Sequence, residues 1–418
     1  MSAATITRWT RAFVGVGVLW FVCWQLAVVA GFERSVTVVP GLWGFVFHVI
    51  FGKGYSLIPS YFESSLAFPY APAVQLPLTA TGTAALTLEA AGVEVLGIPL
   101  TAIGSFLWLA GCLVFVGSLA WTVRGNLLGR HTGTGCINAE RVGVDRVANL
   151  FVPVVVSYLL VGAALPVVRR FVGFSTVLPP DGPATTHVLA LGAATLLFFA
   201  VGFRVLPRFL AVSPRRPLVW LVLPAGALGP LLLVTDFLGL TTFLLGAVVQ
   251  TVAITGFALA YIEMFHRSDR RRIGLYGVYA GVLCGVLAVG VGLTFAFEGH
   301  TLPGNPLDAH YRLALTGFLG LSIIGVTYQF YPPAIASIRG LDDQTASLSM
   351  GVIAVGVLLE AGGLLGENSS LERVGAVLVF VGALLYAAII FAVFYRRYRR
   401  MPRGLTPGLN PIDRDTNH

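Results

Sequence analysis

The chain has 418 residues, of which 56% are hydrophobic and only 11% charged, with a formal net charge of +8. Ordinary globular chains carry about 25% charged residues, so this composition has too little polar surface for a soluble fold. The positive balance does not point to nucleic acid, because the arginines sit in short clusters at helix ends and form no continuous basic face.

Apolar runs predict twelve membrane-spanning helices, at 12–31, 40–62, 73–91, 96–123, 148–168, 187–211, 218–235, 239–265, 274–297, 310–337, 346–366 and 372–395. A spanning helix needs about twenty mostly apolar residues. The first run follows basic residues like a leader, but it lacks an A-x-A-like site and reads as an uncleaved helix. The third is short, threonine-rich and carries Glu89, so eleven helices compete with twelve.

Arginine placement favours twelve, since cytoplasmic loops collect positive charge. With twelve helices and an inside N-terminus, Arg8, Arg11, Arg124, Arg130, Arg141, Arg146, Arg208, Arg215, Arg216, the Arg267–Arg272 cluster and the arginines after 395 are all cytoplasmic. Only Arg34, Arg169, Arg170 and Arg373 fall outside. The expected fold is therefore an all-α integral membrane protein of the cell membrane, with both termini inside. One transmembrane domain covers 1–395, and 396–418 form a basic cytoplasmic tail of disordered composition. Asn368-Ser369-Ser370 is a sequon in a predicted outer loop.

A spacing of Gly, ten residues, Phe or Tyr, three residues and Pro occurs at Gly44/Tyr55/Pro59, Gly192/Phe203/Pro207 and Gly317/Tyr328/Pro332. Each instance falls on the second helix of a four-helix unit, which predicts three repeats over about 1–130, 147–272 and 273–395. Helix-end prolines beside packing glycines would give the same pattern without a repeat. Many transporters repeat in two halves; here the period is three.

His131, His266, His300 and His418 fall in predicted loops or the tail, where solvated or snorkelling histidines are ordinary. His48, His187 and His310 each sit on the second helix of a unit, in the predicted outer part of the membrane. An ionisable group at that depth marks a candidate site, and imidazole is an axial ligand for haem iron. Core hydrogen bonding is the competing account. Gly44 and Gly52 flank His48 on one helix face, giving the clearance a flat macrocycle needs, although close helix packing uses the same spacing. Small residues also follow the other two rings, Ala190 and Ala194 after His187, and Ala314 and Gly317 after His310. Lys53 and Arg204, toward the cytoplasmic ends of their helices, read as snorkelling side chains. The four cysteines include no CxxC pair, so neither a disulfide framework nor a zinc site is indicated. No P-loop, nucleotide-binding glycine fingerprint, serine elbow or helical carboxylate pair is present.

Ala309-His310-Tyr311-Arg312, continuing through Gly317 to Tyr328-Gln329-Phe330-Tyr331-Pro332, resembles the tenth helix of the haem-copper oxidase catalytic subunit. That helix opens with A-H-x-H and reaches an aromatic stretch and a proline at the same distance. His48 through Pro59 resembles the family's second helix, which carries a haem ligand, and the family's three four-helix arcs match the repeat. Arg312 stands where the second histidine of A-H-x-H belongs, the sixth helix lacks H-P-E-V-Y, and no histidine pair surrounds Leu221-Val222-Leu223-Pro224. Copper is therefore not expected. The sixth helix is similar to that of the NnrS family of membrane proteins tied to nitric oxide metabolism, whose H-x4-G-x11-R pattern is met by His187, Gly192 and Arg204.

These resemblances imply a haem protein for electron transfer or diatomic gas (NO or O2) binding, and any activity would be that of an oxidoreductase. His48 and His310 are the axial candidates, expected to meet across one iron or to face separate sites, and His187 is a third. Arg312 and Arg373 could pair with haem propionates or serve as interfacial anchors. The implied partners are the lipid bilayer and an electron-donor protein at the outer face, not nucleic acid. A cofactor-free permease and an accessory membrane subunit are the competing readings.

Overall fold

The computed structural model describes residues 3–94, 97–172, 182–235, 241–298, 303–336, 338 and 340–399. His300, Arg339, His418 and residues 400–418 of the predicted disordered tail lie outside them, whereas 396–399, the start of that tail, continue the last helix. The described residues are helical and contain no strand; a single β-bridge joins Ile338 and Leu341.

The chain opens with α1 (Ala3–Val29), followed by α2 (Arg34–Val39) and α3 (Phe47–Tyr61), which run on from each other through a π-helical stretch, Pro40–Val46. Next come α4 (Ala71–Ala90), α5 (Leu100–Val123), α6 (Val142–Leu150) and α7 (Val152–Val172). A second π-helical stretch, Val188–Thr195, joins α8 (Pro183–His187) to α9 (Leu196–Leu210). After α10 (Arg216–Thr235), α11 (Thr241–Arg267) and α12 (Ile273–Glu298), a third, Arg312–Gly320, joins α13 (Pro306–Tyr311) to α14 (Leu321–Phe330). The described chain ends with α15 (Asp343–Leu365) and α16 (Ser369–Arg399).

Among the described residues, eleven helical spans are long and apolar enough to cross a membrane, which makes the chain a multi-pass helical membrane protein. The helix outside that set is α4, the one with the least sequence signal. Its 20 residues would reach about 30 Å, one hydrocarbon thickness. Its polarity has a specific origin: Gln75, Thr79 and Thr83, spaced by one helical turn, are wholly buried, while Val74 and Leu88 point outward. The helix turns a polar stripe toward the protein, while Thr81 and Glu89 stand exposed beside Val74 and Leu88.

The three spans that contain π-helical stretches form the centre. They are 72%, 78% and 78% buried, whereas no other span exceeds 44%. Around them α4 packs on α5, α5 on α7, α10 on α11, α11 on α12 and α15 on α16, and α16 returns to α1 to close the ring. Small residues let backbones approach. On α12, a Cβ at Gly277, Gly281 or Gly285 would strike Gly325, Ser322 or Phe318 of the central span. Pro59 and Pro207 lie in the last turns of α3 and α9, and Pro332 lies just past the end of α14.

Arg204 does not snorkel. It is 2% exposed, beneath the loop that joins α5 to α7, where it meets Asp145, Asn149 Oδ1 and the carbonyls of Tyr61 and Thr132. Its guanidinium also lies 4.0 Å from the centre of the Tyr61 ring. The charge is thereby satisfied inside the protein, tying the loop to the end of α3. Lys53 likewise turns inward, toward Phe330 and Tyr331.

Candidate functional site

His187, the last residue of α8, and His310, near the end of α13, both precede the π-helical stretch of their central span. Their rings lie parallel, with an interplanar angle of 7° and centroids 6.1 Å apart. Each Nδ1 is placed against a backbone carbonyl, Pro183 O for His187 and Ala288 O, at 2.8 Å, for His310. A carbonyl can only accept, so these contacts place the proton on Nδ1 of each ring, and in His310 this leaves the Nε2 lone pair for another partner. Metal-ligating histidines are held in this way.

The neighbouring helix makes room for the pair. A Cβ at Gly292 of α12 would come within 2.8 Å of the His310 Nδ1, so only glycine admits the ring there. Farther along the same two central spans, Phe198 and Phe318 meet edge to face, with Phe199 and Phe257 packed beside them. This phenylalanine layer closes the bundle beyond the histidines. No group of three or more His, Cys, Asp and Glu that could hold a bare metal ion is found among the described residues. A haem needs only axial nitrogens from the protein, and the two imidazoles supply that donor set.

His48 stands apart. Counted from the repeated glycines, it follows Gly44 by four residues, whereas His187 precedes Gly192 by five and His310 precedes Gly317 by seven. The three histidines therefore do not share one depth, and the structure brings His310 together with His187 and not with His48. The His48 ring is wholly buried. Its Nδ1 lies 2.7 Å from Gly44 O and 3.1 Å from Trp43 O, and its Nε2 is 3.2 Å from the Thr79 hydroxyl of α4.

The glycines flanking His48 do not leave an open slot. A Cβ at Gly44 would lie 2.6 Å from the Trp20 side chain, and one at Gly52 would lie 2.6 Å from Phe13 Cβ and 3.0 Å from Thr10 O. Both serve the close approach of α1. Gly52→Ala is accordingly expected to lower stability by about 1–3 kcal/mol through overpacking. Thermal unfolding in detergent measures it, and an unchanged midpoint would contradict this packing.

Arg312 is not an interfacial anchor: it is 3% exposed, and Glu360 of α15 is 2% exposed. The two form a bidentate ion pair at 2.8 and 2.9 Å, and the Gln25 Oε1 accepts a further hydrogen bond at 2.8 Å. Beside them the Trp24 indole donates to Tyr311 at 2.7 Å. Arg312 Nη1 and Gln25 Nε2 have no protein partner. Arg312 and Arg373 do line one cavity, of about 330 Å³, together with Arg34, Asp308, Glu360 and Glu372. The Arg34–Asp308 ion pair, at 2.6 Å, belongs to its wall.

Sequence reasoning passed over Glu360 and Gln25, although a carboxylate in the middle of an apolar run is itself a signal of a buried partner. It also passed over the three π-helical stretches, a form that makes up well under 1% of residues and is frequent at functional sites. No sequence periodicity announces them. In comparisons with known proteins, the chain matches no protein-family model and no curated protein sequence.

Proposed function

We propose that this chain is a haem-binding membrane protein for electron transfer or diatomic-gas binding, in which His187 and His310 would together hold the haem. The observation that carries the reading is the parallel pair of rings 6.1 Å apart. Two iron–nitrogen bonds of about 2 Å each, by analogy with other metal–imidazole bonds, and roughly 1 Å from each nitrogen to its ring centre add to about 6 Å. Direct face-to-face contact of two rings would bring them to about 3.5–4 Å. A haem held by both rings would supply an iron that exchanges electrons, and binding of NO or O2 would require one of the two imidazoles to give up its place. The chain's own contribution is to orient both imidazoles through the Pro183 and Ala288 carbonyls and to keep water away with the phenylalanine layer.

The same reading takes the bundle as twelve spans in three four-helix units with both termini cytoplasmic. Its support is the recurrence of a π-helical stretch on the second, sixth and tenth spans, the deeper burial of those three, and the matching places of Pro59, Pro207 and Pro332. The inward polar stripe of α4 supports its counting as a span. A cysteine introduced at Arg130 is expected to react with an impermeant maleimide only from the cytoplasmic side; labelling in intact cells would reverse the topology.

The charged outer cavity favours a second reading, a cofactor-free permease whose polar residues line a substrate path. An absorption spectrum of the purified, detergent-solubilised protein from haem-replete cells separates the two. A Soret band is expected, and its absence would leave the permease.

A further inference from the structure

At the end of the bundle where α1 begins and α16 ends, three cations converge from three helices: Arg11 of α1, Lys53 of α3 and Arg397 of α16. Lys53 Nζ lies 3.8 Å from the centre of the Phe330 ring, 4.2 Å from that of Tyr331 and 3.2 Å from the Tyr331 hydroxyl. The Arg397 guanidinium is 5.3 Å from the same Tyr331 ring. Arg11 and Arg397 are near enough to Lys53 to repel it, and Arg397 likewise repels Arg11. No carboxylate enters the electrostatic surroundings of Arg11 or Lys53 among the described residues, and the buried Arg11 Nε has no hydrogen-bond partner. Elsewhere in this protein buried or half-buried arginines find acids, Arg204 and Arg208 at Asp145 and Arg312 at Glu360. Here the cations meet aromatic faces, worth about 0.5–2 kcal/mol each, the Tyr331 hydroxyl and the Phe330 carbonyl, which accepts from Arg397 at 3.4 Å.

From this imbalance we infer that the Arg11–Lys53–Arg397 cluster is a binding site for a phosphate group, supplied by the headgroup of an anionic membrane lipid. The choice of phosphate follows from the donors, an ammonium and a guanidinium that share the Tyr331 ring and a second guanidinium near enough to repel both. The choice of lipid follows from place. All three residues are within membrane-spanning helices, Arg11 near the start of its span and Arg397 at the end of its own, and α1 and α16, which carry the two arginines, belong to the outer ring. Phe394, half-buried near the end of α16, packs its ring on the buried Tyr331 at 5.0 Å, beside the cluster. The inference does not depend on haem.

Native mass spectrometry of the full chain tests it, with phosphatidylglycerol, phosphatidylcholine and inorganic phosphate as separate probes. Retention of phosphatidylglycerol over phosphatidylcholine is expected, weakened about five- to tenfold by Lys53→Gln or Arg397→Gln and preserved in Lys53→Arg. Arg397, at the end of α16, serves as the variant least able to disturb folding. Equal retention of the two lipids, or no loss in either glutamine variant, would overturn the site. Binding of inorganic phosphate with no lipid preference would assign a free anion and overturn the lipid. A preference that emerges only in Asp413→Asn/Asp415→Asn would mean that the chain's own tail fills the cluster, which also overturns it.

Discussion

Alanine at either His187 or His310 is expected to strip haem from the protein, lowering the ratio of Soret to protein absorbance at least about tenfold, while His48→Ala retains it. Loss of a mere supporting partner of a metal ligand already costs about 10–100-fold in affinity, and loss of the ligand should cost no less. The pairing is what makes both substitutions equivalent: each ring is placed against its own carbonyl, and the two lie parallel with centroids 6.1 Å apart. The control is His48, whose two nitrogens already lie within hydrogen-bonding reach of Gly44 O and Thr79 Oγ1. Its removal should cost stability of about 1–3 kcal/mol, because buried polar partners are left unpaired, but not haem. Retention of haem in both His187→Ala and His310→Ala would end the shared-iron assignment. Loss from only one would mean a single-histidine, five-coordinate site, and loss from His48→Ala would return that residue to the ligand set.

Much of this architecture could be read from residue order alone, and the parts that could not share a cause. Apolar length and arginine placement depend on one helix at a time, so the multi-pass class follows from sequence. The glycine, aromatic and proline spacing also stays within one helix, and it singled out the spans that prove to be central. The identity of neighbours depends on rotation and depth, which spacing within one helix does not fix. His48 lies beyond its π-helical stretch and the other two histidines lie before theirs, so three residues on the three central spans reach different surroundings. Gly44 and Gly52 have the spacing of a cofactor slot and of a packing seam alike; only Trp20 and Phe13 of another helix decide between them. Arg204 and Arg312 looked like terminal cations because their acids, Asp145 and Glu360, are 59 and 48 residues away in sequence.

Removing one member of the Arg312–Glu360 pair is expected to be more damaging than removing both. With the pair at 3% and 2% exposure, Arg312→Leu leaves an uncompensated carboxylate beside the charged cavity, and Glu360→Leu leaves a guanidinium with no carboxylate, only Gln25 and Tyr311, to accept from it. Breaking a buried pair from one side costs about 3–5 kcal/mol, whereas replacing both partners by apolar residues is often neutral or stabilising. The double variant Arg312→Leu/Glu360→Leu should therefore unfold in detergent at a higher temperature than either single variant, with a coupling energy of about 1–3 kcal/mol in the cycle. Additive losses would mean that the two side chains act independently despite their 2.8 and 2.9 Å contacts. The Soret band gives the same variants a second readout. Because Arg312 is engaged by Glu360 and Gln25, and His310 turns to Ala288 and His187, the haem spectrum should be unchanged in the double variant. A loss of haem there, at wild-type thermal stability, would instead assign Arg312 to a propionate.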